Sequence, residues 1–247
     1  MINIPTRKSK SKYVISLFLI LIFFTTFFIM YKYYVEGEKN IPFNISKLIV
    51  ISTAETQNFT KNSDIYEADV VQKNDIYIAI EKNKNYKDED AIKQICINNI
   101  TIIEPGKKGN LKFYRNSQTE QTFEYVEKYE INDSVEYIGA KTTDLKKEQM
   151  TISNQGGLIE LSAIIKDLGK ITYTENENFV ADGTLIKRLN LTSEEIKTKI
   201  SFDMLIEVQA GNIFKTTIIL ELPINDITLE GVTQEEIDVL KLVFKRV

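Results

Sequence analysis

Lys199-Ile-Ser-Phe-Asp-Met-Leu-Ile-Glu-Val208, then Gln-Ala-Gly-Asn212, then Ile213-Phe-Lys-Thr-Thr-Ile-Ile-Leu-Glu-Leu222 decides the fold class. In the first segment Ile200, Phe202, Met204, Ile206 and Val208 alternate with polar residues, Leu205 excepted. In the second, Phe214, Ile218, Leu220 and Leu222 share one face, with Lys215 on the other, and Pro223 ends the run. A period of two with one apolar face is the pattern of a half-buried strand, and the Gly-Asn turn joins the two into a hairpin.

The same pattern extends upstream. Lys47–Thr53 is an apolar run of strand length, and Asp75–Lys82 puts Ile76, Ile78 and Ile80 on one face. Ile95–Ile103 and Asn110–Asn116 read as strands on either side of the breaker-rich Glu104–Gly109, and Thr122–Ile131 and Val135–Lys141 continue the series. Turns every ten or so residues between β-branched and aromatic runs predict an all-β, antiparallel, sandwich-like fold. Helix is expected only at Asp88–Gln94, for two turns, and at Thr184–Leu191, for one or two. Thr192-Ser-Glu-Glu195 and Thr233-Gln-Glu-Glu236 both have capping-box spacing. The recurrence of T-x-E-E-I before apolar runs suggests two β-units, residues 46–142 and 143–247. One larger domain is the alternative.

At the other end, Tyr13–Tyr31 (YVISLFLILIFFTTFFIMY) holds no charge, Gly or Pro. Such a run makes a helix about 28 Å long, close to the ~30 Å hydrocarbon core of a bilayer. Arg7, Lys8, Lys10 and Lys12 precede it and no acid comes before Glu36, so the expected topology is a cytoplasmic basic tail (1–12), a single span (13–31), a stalk (32–45) and an extracytoplasmic domain. The run is longer than a cleaved leader's apolar region and is followed by no A-x-A-like site, so an uncleaved anchor is expected. Tyr13, Tyr31, Tyr33 and Tyr34 fit interfacial positions, and the basic tail fits lipid headgroups.

Composition narrows the chemistry. The chain of 247 residues has no His, one Cys and no Trp. Triads, Cys–His dyads and His-ligated zinc are excluded, as is an intrachain disulfide. Beyond the anchor, 27 cations face 35 acids, a net of −8 that disfavours nucleic acid. No external S-x-x-K occurs, and no phosphate-binding glycine loop, so neither nucleotide nor cofactor is expected. Asp88-Glu-Asp90 lacks the register of a calcium loop. Asn99-Ile-Thr101 and Asn190-Leu-Thr192 match glycosylation acceptors only formally. Cys96 reads as a small apolar residue in a strand.

The remaining candidate is an aromatic face, Phe123, Tyr125 and Tyr129, with Phe113 and Tyr114 on the strand before it. Tyrosines on an open sheet can bind glycan or protein, while the competing reading is a sandwich core with hydroxyls at its rim. The expected function is a membrane-anchored, non-enzymatic binding or structural module of the bacterial cell envelope or of a membrane complex, with an envelope protein or glycan as partner. A carboxylate-dependent envelope enzyme or enzyme accessory is one alternative. A sensor acting through a partner is the other.

Overall fold

The computed structural model describes residues 8–116, 127–141, 150–174 and 180–247. Helix α1 (Lys8–Glu36) contains a stretch, Tyr13–Glu36, long and apolar enough to cross a membrane, and each of its residues is exposed. It runs five residues past Tyr31, because nothing before Gly37 breaks it. Gly37 takes φ +70° and its N–H donates to the Tyr33 carbonyl at 2.8 Å, a left-handed helix cap.

The expected stalk is an ordered junction. Residues 32–36 are helical, and Ile41, Pro42 and Phe43 are buried. The end of the chain returns to this point: the Glu38 N–H donates to the Phe244 carbonyl (2.7 Å), and the Arg246 N–H to the Tyr33 hydroxyl (3.0 Å). The Lys245 ammonium sits 4.0 Å over the Tyr34 ring. A Cβ on residue 37 would overlap the Phe244 carbonyl, so this approach requires glycine.

The rest is all-β, in two sheets. The long sheet has the order β10 (Thr233–Glu236), β1 (Phe43–Asn62), β2 (Ile65–Lys82), β7 (Gly156–Thr174), β4 (Asn110–Arg115). The short sheet has the order β11 (Lys245–Arg246), β9 (Ile213–Leu222), β8 (Thr198–Val208), β3 (Ile92–Glu104), β5 (Ser134–Gly139), β6 (Met150–Ile152). Pairing is antiparallel except between β5 and β6, which are parallel. Both sheets draw strands from either side of residue 142: β2 lies along β7, and β3 along β8.

The hairpin follows its alternation. Ile200, Phe202, Met204, Ile206, Val208 and Leu222 are fully buried, with Phe214, Ile218 and Leu220 close to it. They meet Leu48, Val50, Ile76, Ile78, Ile80, Ile159 and Leu161 of the long sheet in one core. The long sheet outreaches this core. Its far part packs Ala54, Val70 and Ile165 against Leu185 and Ile186 of α2 (Thr184–Arg188), Ile196 of α3 (Ser193–Ile196) and Ile227.

A buried polar band separates the two cores on the long sheet's inner face. Ser52 donates to Asn74 Oδ1 (2.6 Å), while Asn74 and Gln72 exchange hydrogen bonds of 2.8 and 2.9 Å. The Ile224 N–H donates to Ser52 Oγ (2.9 Å), and Thr233 Oγ1 to the Ile224 carbonyl (2.5 Å). The band therefore fixes where the chain crosses from β9 of the short sheet to β10 of the long one.

Three local expectations are corrected. Asp88–Gln94 is not helical: Asp90 accepts from the Ala91 N–H at 2.8 Å, and β3 starts at Ile92. Thr233–Glu236 is a strand paired with Ile49–Ser52, so only the first capping box caps a helix, with the Thr192 N–H and hydroxyl on Glu195 Oε2 at 2.9 and 3.0 Å. Of the expected strand Thr122–Ile131, residues 122–126 lie outside the described residues. Glu127–Tyr129 is a 3-10 turn, and Glu130 makes a single bridge to Tyr114.

Candidate functional site

Of the aromatic candidates, Phe123 and Tyr125 lie outside the described residues. Tyr129 sits in the 3-10 turn with its ring between the Arg115 guanidinium (5.1 Å) and the Lys128 ammonium (5.2 Å). Phe113 and Tyr114, adjacent in β4, point to opposite faces, as strand geometry requires. Phe113 joins the main core, and Tyr114 is buried against Val71 and Ile164 on the outer face, accepting from Lys166 Nζ at 2.6 Å. Beside them, Asn116 donates to Glu160 Oε2 (2.9 Å), and the Tyr137 hydroxyl to the Glu160 carbonyl (2.7 Å). Burial pushes the Tyr137 phenol well up, so it stays a neutral donor. Tyr137 thus belongs to the core, and Tyr129 is half-buried in its turn.

A groove of about 560 Å³ opens on the other side. The edge of β9 (Ile219, Leu220, Glu221) forms one wall, and Glu235 and Ile237, in and just after β10, form the opposite wall. The crossover from Pro223 to Asp226 lies between them, and the start of α3 closes one end. Its charge is lopsided: Glu194, Glu221, Asp226 and Glu235 face one cation, Lys197. Lys197 is 3.2 Å from Glu221. Asp226 accepts from Ser193 Oγ (2.7 Å) and Thr228 Oγ1 (2.6 Å), and these bonds hold its carboxyl below the usual range.

Ile219 is the outlier in this wall. It lies on the face of β9 that Lys215, Thr217 and Glu221 make polar, and it is 53% exposed. The chain shows the anomaly as the run Ile218-Ile-Leu220, where strict alternation calls for a polar residue at 219. That break in period was the available signal for the groove. The acids that line it come from four separate segments, and no local motif unites them.

Two buried carboxylates lie elsewhere on the outer faces. Asp203 in β8 pays a desolvation penalty, but Lys215 Nζ (2.7 Å), Thr217 Oγ1 (2.6 Å) and Asn99 Nδ2 (2.7 Å) outweigh it and hold its carboxyl down. Asp75 in β2 behaves oppositely. Burial drives its carboxyl up, and Lys73 (3.2 Å) and Ser162 (2.8 Å) recover only part of the shift. Cys96 is in a strand as expected, but half-buried on the outer face of β3, where burial and then Glu136 push its thiol up. A raised thiol is a poor nucleophile.

Comparison of the chain with protein-family models, with curated proteins and with solved structures returned no match.

Proposed function

We propose that this chain is a single-pass, membrane-anchored protein whose β-sandwich lies outside the cytoplasm and works by binding, as a module of the bacterial cell envelope or of a membrane complex. The observation that carries this reading is the junction. An apolar helix, exposed along its length, leads within seven residues into a sandwich whose last strand closes back onto Tyr33, Tyr34 and Glu38. Such a joint holds the domain against the bilayer surface at a set height, which suits presentation of a surface to a neighbour. The cations that precede the span and the acids that follow it favour an inside N-terminus.

Binding without turnover is supported by residue chemistry. His is absent, the single thiol is raised, and the phenol of Tyr137 is committed to a carbonyl. Two results test the proposal together. A reporter active only outside the cytoplasm, fused after Val247, should be active, and the mature protein should retain residues 1–31. A soluble species that begins near residue 33 would overturn the anchor.

A further inference from the structure

We infer that the open edge of β9 binds an extended, cation-bearing peptide segment of another protein, which adds as a strand to the short sheet above the acidic groove; the inference rests on the reading of the chain as membrane-tethered. The edge is half used already. β11 pairs with it only at Phe214 and Lys215, and the Val247 N–H donates to the Ile213 carbonyl at 3.0 Å. Backbone groups alternate along a strand, so a carbonyl of residue 213 aimed at this side puts the N–H and C=O of Thr217, Ile219 and Glu221 there too. The even-numbered residues face β8 instead. Beyond Lys215 no strand of the described residues pairs with this edge, and Thr217, Ile219 and Glu221 are exposed.

Edges of this kind are normally blunted by a bulge, a proline or a lysine. From Thr216 to Leu222 β9 has none of these: its pairing with β8 runs without a register shift, and an exposed isoleucine stands at its centre. The chain's own β11 shows that the edge accepts an antiparallel partner, and an incoming segment would continue along the same line. Main-chain bonds supply the grip in such addition, while alternate side chains supply selectivity. Here one side chain in two would meet Ile219 or Ile237, and cationic ones would meet Glu221, Glu235 and Glu194.

A second copy is the poorer occupant. Ile213 lies at the helix end of the domain, beside Val247, and Leu222 lies about 30 Å away along the strand. Antiparallel pairing of two β9 edges would place the two anchors at opposite ends of the dimer, which one bilayer cannot accommodate.

The test uses the full chain in lipid nanodiscs and a fluorescent nine-residue probe that alternates Val and Lys, with blocked ends. Saturable binding is expected by anisotropy. The same peptide N-methylated at alternate residues, which cannot pair along both edges, should bind at least tenfold more weakly. Ile219→Pro removes an outward N–H without touching the β8 ladder and should also weaken binding at least tenfold. Glu221→Lys with Glu235→Lys should weaken it several-fold, with thermal melting within a few degrees of wild type. No binding, or equal binding of the methylated probe, overturns the proposal. So does equal binding by folded Ile219→Pro, or a dimer that this variant dissolves. Protease protection of the anchor in the same nanodiscs is read separately, so loss of peptide binding is distinct from loss of the membrane reading.

Discussion

The two sheets face one core with different inner surfaces. β8 and β9, of 11 and 10 residues, are apolar on that face except for Thr198, the first residue of β8, and Thr216. β1 and β2, of 20 and 18 residues, carry apolar residues, then Ser52 in the one and Gln72 and Asn74 in the other, then apolar residues again, while β7 beside them presents Ile159, Leu161, Ala163 and Ile165. The short sheet therefore serves one core, and the long sheet serves two. The difference teaches that inward polar residues can act as a divider. Their hydrogen bonds are met only when β1, β2 and the crossover at Ile224 come together in one register, which burial of apolar area alone would not specify.

The sharpest break in this comparison should come from charge in the short sheet. Ile206→Asp or Leu220→Asp places an unpaired carboxylate in the shared core and should cost about 4 kcal/mol or more, read as loss of the cooperative transition in denaturant. If either were tolerated, the shared-core description would be wrong. An intermediate effect is expected in the band. Asn74→Leu strands Ser52, Gln72 and the Ala163 carbonyl (3.1 Å from Asn74 Nδ2), and should cost about 2–3 kcal/mol. Ser52→Ala, which strands the Ile224 N–H, should cost about 1–2 kcal/mol. Equal losses for Ser52→Ala and Leu220→Asp would erase the distinction between divider and core.

The outer faces allow a finer test through pH. Asp203 has a lowered carboxyl, so its stabilisation is complete above the unfolded carboxylate range near pH 3.9 and is lost as pH falls through its folded value. Asp203→Asn should flatten that acid limb and cost about 1–2 kcal/mol at neutral pH. Asp75 has a raised carboxyl, so between the unfolded and folded values the native state holds a proton that the unfolded chain has released. Stability then falls as pH rises from the unfolded range through the folded value. Asp75→Asn should remove that fall with little change below it. Urea midpoints should therefore show the Asp203 slope on the acid side of the unfolded carboxylate range and the Asp75 slope, of opposite sign, above it. Lys215→Asp belongs here as well. Its side chain faces away from the core, but it pairs with Asp203 at 2.7 Å, so the change puts two acids together and should be felt modestly rather than silently.

What was legible in the sequence follows from the same difference. The Lys199–Leu222 hairpin could be read to within one residue, because one face is apolar but for Thr216 and the turn contains a glycine at φ +86°. β2 was visible only from Asp75, where Ile76, Ile78 and Ile80 begin, since Gln72 and Asn74 turn polar groups inward and hide the first half. β7 escaped notice altogether. It opens on Gly156-Gly157, and its Lys166–Gly169 segment reads as a turn but is an irregularity within the strand, with Asp167 at φ +59° and Gly169 at φ +147°. Thr233–Glu236 copied the composition of a helix start, and pairing with β1 overrode that local preference. The groove was hidden for a different reason. Its acids come from α3, β9, the crossover and β10, which the topology alone brings together, and only Ile219 left a mark in the periodicity.

The interleaving of strands bears on the order of events during synthesis. Lys93 of β3 meets Glu207 of β8 at 2.6 Å across 114 residues of chain, and β2 stands 75 residues (Glu81 to Gly156) to 109 residues (Ile65 to Thr174) from its partners in β7. A ribosome has therefore delivered nearly everything before either sheet can close, and among the described strands a half-made chain can pair only β1 with β2. Until then the strands wait with unpaired edges, in competition with their counterparts on neighbouring chains. Slow delivery, low crowding or a holding chaperone should raise the yield of this protein more than any added stability in the finished fold.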